Sequence, residues 1–249
     1  MWRTGKPLGS GRSADVYAID DHWVLRRHRN GLDATAEAAV MTHLAEHGCP
    51  VPDVRLTVDG RPLPRTDLVM RRLYGPSMLQ ALVQGTITAT EAGRILAGLL
   101  KRLHTVPART STDPSHRILH LDLHPDNVML TPDGPMVIDW SNADEGPPAL
   151  DWAMSALIIA QVAESGPFEG AGAEDVREVL ASLLRHRAPA ITLDGSGTGH
   201  LALARARRAA DPAMSEAETA VLGPAVTLVL GLLAAEEAQG QSTRERNAR

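Results

Sequence analysis

Two carboxylates and a carboxamide stand close together near the middle of the chain. The run His120-Leu121-Asp122-Leu123-His124-Pro125-Asp126-Asn127 sets an aspartate and an asparagine five positions apart. Val137-Ile138-Asp139-Trp140 follows, with Asp139 twelve positions after Asn127. A positioned carboxylate orients and deprotonates a hydroxyl. A carboxamide oxygen and a second carboxylate are the hard donors that magnesium accepts. Asp122 therefore reads as a catalytic base, and Asn127 and Asp139 read as metal ligands. The plain alternative for the octet is a polar turn between two strands. Far upstream lies Gly9-Ser10-Gly11-Arg12-Ser13-Ala14-Asp15-Val16. Glycines there let the backbone approach phosphates and aim its N–H groups at them. Read alone, that segment is a hairpin turn of small residues. His116, His120 and His124 are spaced by four, but Pro125 and the surrounding apolar pattern argue against the helix a zinc site would need.

The elements that must position these residues change character along the chain. Val16–Ile19 and Trp23–Arg26 read as strands of a hairpin turned at Asp20-Asp21-His22. Asp33 can cap a helix over residues 34–46, with Val40, Met41 and Leu44 as its apolar stripe and Gly48 and Pro50 as its stop. Two more strands are expected over 54–58 and 67–71, turned at Asp59-Gly60. Beyond Gly75-Pro76 the pattern is helical. Thr88 and Glu91 form a capping box for a helix to His104. A strand-and-loop island spans 118–142. Helices follow over 150–162, 174–187, 201–210 and 215–238, the last opened by a Ser215–Glu218 box, with a frayed polar tail after it. The Gly-Ser loop at 194–199 lacks the Gly-Lys-Ser/Thr ending of a P-loop and receives no cofactor role.

Composition excludes several classes. The chain has 249 residues, 43% hydrophobic and 22% charged, with a formal net charge of −5. This is ordinary globular composition. Aromatics are 3% and no broad basic surface is expected, so nucleic acid is not an expected partner. The single cysteine, Cys49, excludes an internal disulfide and fits a reducing compartment. Residues 1–5 show no apolar signal core. The apolar stretch 221–235 contains Pro224 and is shorter than the ~20 residues of a spanning helix. A cytoplasmic protein without membrane contact is expected.

The three motifs, in this order, resemble those of kinases. The octet fits the catalytic loop H-x-D-x-x-x-x-N position for position, and Gly9–Val16 fits G-x-G-x-x-G-x-V with Ala14 at the third glycine. Together with Ala149-Leu150-Asp151-Trp152-Ala153, they make the chain similar to the aminoglycoside phosphotransferase family, over about residues 5–160. That resemblance implies an α+β, bilobal, protein-kinase-like fold. Residues 1–72 would form a small antiparallel-sheet lobe with one helix. Residues 73–249 would form a larger helical lobe with the catalytic loop, metal site and acceptor-binding helices. It further implies ATP, with GTP not distinguished, and Mg2+. Gly9, Ser10, Gly11, Arg12 and Ser13 would cover the phosphates. Arg26 would take the place of the usual strand-three lysine, paired with Glu37. The strand's alternation favours Arg26 over its neighbour Arg27. Glu37 could instead serve as an acidic residue at a helix start. Met70 and Arg72 would lie in the hinge, and Leu8, Val16, Val24, Leu130 and Ile138 would wall the adenine or belong to plain core. Asp151 would brace the catalytic loop or cap the next helix.

The same resemblance implies transfer to a hydroxyl of a small molecule, by a monomer or homodimer. Only eleven residues separate Asp139 from Asp151, and no A-P-E motif closes a protein-kinase activation segment. Residues 140–249 carry a net charge of −6, which would suit a cationic aminosugar, with Asp144, Glu145, Glu174, Asp175 and Glu178 as its candidate lining. The alternatives are a solvated acidic surface, a catalytically weak nucleotide-binding regulator, and a protein kinase.

Overall fold

The structure is a computed structural model and describes residues 5–11, 14–29, 31, 33–58, 60–165, 172–193 and 199–247, with side chains to 239. Arg12, Ser13, Asp59 and residues 194–198 lie outside the described residues. In chain order the elements are β1 (Pro7–Ser10), β2 (Ala14–Ala18), β3 (Trp23–His28), α1 (Thr35–Glu46), β4 (Val54–Arg55), β5 (Thr57–Val58), β6 (Arg61–Pro62), β7 (Asp67–Arg71), α2 (Met78–Val83), α3 (Ala89–Leu103) and β8 (Arg117–Leu119). After a 3-10 turn at Pro125–Asn127 come β9 (Val128–Thr131), β10 (Gly134–Val137), β11 (Asp144–Gly146), α4 (Pro148–Glu164), α5 (Ala173–Arg185), α6 (His200–Ala209), α7 (Glu216–Ala220) and α8 (Leu222–Asn247). The chain forms two compact units. One comprises Met1–Pro76 with Val128–Ala143, the other Ser77–Asn127 with Asp144–Arg249.

The first unit is built on an antiparallel sheet of order β1-β2-β3-β7-β4. Asp20 accepts the N–H groups of His22 and Trp23, which fixes the turn between β2 and β3. The expected strand over 54–58 is broken at Leu56: β4 pairs with β7, while β5 turns away to pair with β6. Helix α1 begins one residue later than expected, because Asp33 accepts the Thr35 N–H and Ala34 occupies the cap position. Its buried face is Glu37, Ala38, Met41 and Leu44, whereas Val40 is only half-buried. A carboxylate therefore shares the helix face that enters the core. The β9–β10 hairpin joins this unit through Leu130 N–H on Pro76 O and Val137 N–H on Pro50 O. Gly75, at φ +142°, permits that approach, since a Cβ there would lie 2.0 Å from Leu130 O.

The second unit is helical around α4. That helix buries Trp152, Ala153, Met154, Ala156, Leu157, Ile158, Ile159 and Ala160, so it is buried on nearly every side and is packed by α5, α6 and α8. Thr88 caps α3, and a reciprocal Ser215–Glu218 box caps α7. The single helix expected over 215–238 is divided at Val221, because Pro224 lacks an N–H and its ring is accommodated only in a first turn. The expected frayed tail is helical to Asn247; its Gln, Arg and Glu residues are good helix formers. Among the described residues no helix is long and apolar enough to cross a membrane.

Helices α3 and α5 meet at Gly93, where a Cβ would lie 2.4 Å from Val179 O and 2.5 Å from Ser182 Cβ. Gly93→Ala must push the two helices apart. We expect it to cost about 1–3 kcal/mol, read as a lower urea midpoint at unchanged m-value.

Candidate functional site

Strand β3 places its side chains by alternation. Val24, Arg26 and His28 share one face, and their cross-strand partners Val16, Met70 and Ala14 share it with them. Arg27 faces the other way and forms a two-point pair with Asp67 at 2.9 and 2.7 Å. Arg26 is buried and spans two carboxylates. Its Nη1 donates to Glu37 Oε1, and its Nη2 to Asp139 Oδ1 at 2.6 Å. Glu37, only 4% exposed, also accepts from His28 Nε2 at 2.8 Å and from the Trp140 N–H at 3.2 Å. One carboxylate on α1 thus joins β3 to the segment after β10. Asp139 lies at φ +62° and also accepts from Ser141 Oγ. Aspartate tolerates that backbone region better than most residues.

The other sheet-unit candidates are less uniform. Gly9 and Ser10 lie in β1, and Gly11 N–H closes a tight turn on Ala14 O. Ser10 Oγ is engaged with Asp15 and Arg29. Met70 is half-buried in β7, while Arg72 donates its N–H to His22 O and its guanidinium to Asp20 O. Leu130 and Ile138 are half-buried in the β9–β10 segment of the same unit, and Leu8 is exposed.

The octet lies in the helical unit, where Asp151 organises it. Wholly buried, its carboxylate accepts the His120 N–H at 3.0 Å, the Leu121 N–H at 2.7 Å and His104 Nε2 at 2.9 Å. Leu121 is held at φ +61°, a strained state for a bulky residue, and these bonds fix it there. Burial pushes the Asp151 carboxyl upward, but the hydrogen bond and charge of His104 and the His120 N–H outweigh this and hold it below 3.8. Next along, Asp122 N–H donates to His120 Nδ1. Asn127 Nδ2 donates to Asp122 O at 2.8 Å and approaches Asp122 Oδ2 at 3.4 Å. The turn therefore presents the Asp122 carboxylate beside the Asn127 amide, whose Oδ1 accepts no bond from the described residues. His124 Nε2 lies 3.9 Å from Asp122 Oδ1. Burial lowers its pKa, and His120 and Arg208 act in the same direction, against the opposing charges of Asp122 and Asp126.

A hard amide oxygen on Asn127 and a carboxylate 32% exposed on Asp139 are donors that fit magnesium. Most of the acidic residues expected to receive a cationic acceptor are engaged within their own unit. Glu145 accepts the N–H groups of Arg109, Thr110 and Ser111. Asp144 pairs with Arg207, Glu178 binds Thr90 and Arg185, and Asp175 takes the Gly172 N–H. Glu174 is exposed on α5. Sequence reading missed three residues: His28, His104 and Arg208. Alternation from Arg26 could have found His28; no local pattern marks the other two.

The α+β frame that carries these residues is kinase-like. A family model described as the phosphotransferase enzyme family matches residues 4–118 and 110–183. The chain belongs to that family, the aminoglycoside phosphotransferase family. No curated protein matches it. Solved structures share the fold. A Ralstonia eutropha protein assigned to the aminoglycoside phosphotransferases is 16% identical, with 92% of each chain covered and a TM-score of 0.56. Amicoumacin kinase hAmiN, in complex with AMP-PNP, Ca2+ and Ami, is 14% identical, covering 89% of this chain and 86% of that one, with a TM-score of 0.52. The gentamicin complex of APH(2")-IIa is 13% identical, covering 92% and 89%, with a TM-score of 0.51.

Asp151 yields a prediction. Ionised Asp151 favours the folded state above its ordinary value of 3.8, and that contribution is lost as pH falls through its lowered value. Asp151→Asn should cost about 3–5 kcal/mol at neutral pH. It should also flatten the acid limb of stability against pH. Urea titrations from pH 3 to pH 7 test both.

Proposed function

We propose that this protein transfers the γ-phosphoryl group of ATP, with magnesium, to a hydroxyl of a small molecule. The observation that carries this reading is the turn in which Asn127 Nδ2 holds the Asp122 carbonyl, so that one loop offers a carboxylate base and an uncommitted amide oxygen. Family membership supports the reaction class, and nucleotide complexes among structures of the same fold support the phosphate donor.

Asp122 accepts the proton of the acceptor hydroxyl as the acceptor oxygen bonds to phosphorus and the bond to the bridging β–γ oxygen breaks, releasing ADP. Arg26 neutralises phosphate oxygens, and the Glu37 carboxylate fixes its guanidinium plane. Val16, Val24, Met70, Leu130 and Ile138 pack against the adenine, and the Gly9–Ser13 segment covers the phosphates. Asn127 and Asp139 would hold magnesium, which would offset charge on the phosphates. The chemistry is positioning and electrostatic stabilisation.

Transfer of label from γ-labelled ATP to pooled sugars, amino alcohols, hydroxy acids, aminoglycosides and macrolides tests the proposal. Asp122→Ala should lower turnover by about 10²–10⁴; near-normal turnover would remove Asp122 from the mechanism. Arg26→Lys keeps the charge but cannot span Glu37 and Asp139 together. It should lower kcat/KM for ATP by about 10- to 100-fold, measured with the acceptor at saturation.

A further inference from the structure

Arg208, on α6, reaches the catalytic loop of its own unit. Its Nε donates to Gln161 Oε1 at 2.8 Å, and Gln161 Nε2 in turn donates to Glu218 O at 3.0 Å. Gln161 is buried, so this chain fixes the base of the guanidinium. The far end lies at Asp122, with Nη1 4.0 Å from Asp122 Oδ1. That is close enough for ion pairing and too far for a hydrogen bond. The side chain is 15% exposed, and its Nη groups form no hydrogen bond with the described residues. The neighbouring Arg207 is unlike it, since its Nη1 pairs with Asp144 at 3.0 Å.

A part-buried cation with undischarged donors needs an acceptor. Around Arg208 the partners are a neutral amide, the His124 imidazole and the Asp122 carboxylate, which the mechanism reserves for the hydroxyl. We propose that Arg208 selects the acceptor: it binds a carboxylate or phosphate carried a few bonds from the hydroxyl that Asp122 activates. The acceptor class is an anionic hydroxy compound. This rests on the phosphotransferase reading and sharpens it. A guanidinium fork matches a planar carboxylate or a phosphate by two parallel hydrogen bonds. An ammonium group in the same place would meet Arg208 as a like charge.

Matched acceptors test it: glycerate against glycerol and serinol, and glucuronate and glucose 1-phosphate against glucose and glucosamine. Label transfer from γ-labelled ATP is measured with wild type, Arg208→Gln and Arg208→Lys. Wild type should prefer an anionic member in kcat/KM. Arg208→Gln should reduce that preference by about 10- to 100-fold, chiefly through KM, and Arg208→Lys should restore part of it. Carboxylate and phosphate probes separate the two sources of anion. Preference for the neutral or cationic member overturns the proposal. So does an equal loss on all acceptors in Arg208→Gln, which would mark a role on the transferring phosphoryl group or in folding. Calorimetric binding of the same probes in the presence of AMP-PNP separates this proposal from its parent. Anion binding that depends on Arg208, without any Asp122-dependent transfer, supports the anion site and refutes the phosphotransferase reading. Absence of anion binding and of anion-selective transfer refutes the anion site.

Discussion

A buried carboxylate must be answered by donors, and Glu37 sets that requirement at the centre of the sheet unit. Left alone at 4% exposure, its charge would destabilise the fold. Three donors from two parts of the chain converge on it: Arg26 and His28 from β3, and the Trp140 N–H from beyond β10. The compensation is also a positional constraint. Arg26 can serve Glu37 and Asp139 together only if α1, β3 and the Asp139 segment keep their mutual register, so solvating the charge and aligning the proposed phosphate-binding groups are the same event. Such buried networks are stable when every member is satisfied and costly when one is lost.

Asp151 performs the equivalent task in the helical unit by another route. It bonds two successive backbone N–H groups, at His120 and Leu121, and thereby holds Leu121 in a left-handed conformation that a leucine would otherwise leave. Asp139, the other non-glycine residue at positive φ among those described, is likewise bound on its side chain. In both units the strained residue stands beside a proposed functional group, and in both the restraint is a carboxylate hydrogen bond.

What the sequence disclosed follows from the range of the interactions. The octet and Asp139 are local patterns, legible because a tight loop needs those residues at that spacing. Alternation along β3 distinguished Arg26 from Arg27, since a strand has only two faces. Caps at Thr88 and Ser215 marked helix starts through bonds to residues three positions on. The break at Leu56 was hidden because residues 54–58 carry one continuous strand pattern, and partner choice between β7 and β6 is a tertiary matter. The division before Pro224 was written in the sequence but was outweighed by the long apolar run around it. His104 and Arg208 were illegible because each acts across more than forty residues on a partner its local pattern does not imply.

The summed charge of residues 140–249 and the charges nearest Asp122 point to different acceptors. Residues 140–249 carry a net −6, which suggested a cationic partner. Summed charge governs encounter at long range, where salt screens it over roughly 8 Å. At a reacting hydroxyl the nearest charges dominate: a unit charge at 4 Å acts about four times as strongly as one at 16 Å even before screening. Glu145 is neutralised in effect by three backbone N–H groups, and Asp144 and Glu178 by arginines. Arg208 is opposed chiefly by the one carboxylate that the chemistry itself employs. Arg208, 4.0 Å from Asp122 Oδ1, therefore acts on a hydroxyl held at Asp122 more directly than the paired carboxylates of the unit's surface do.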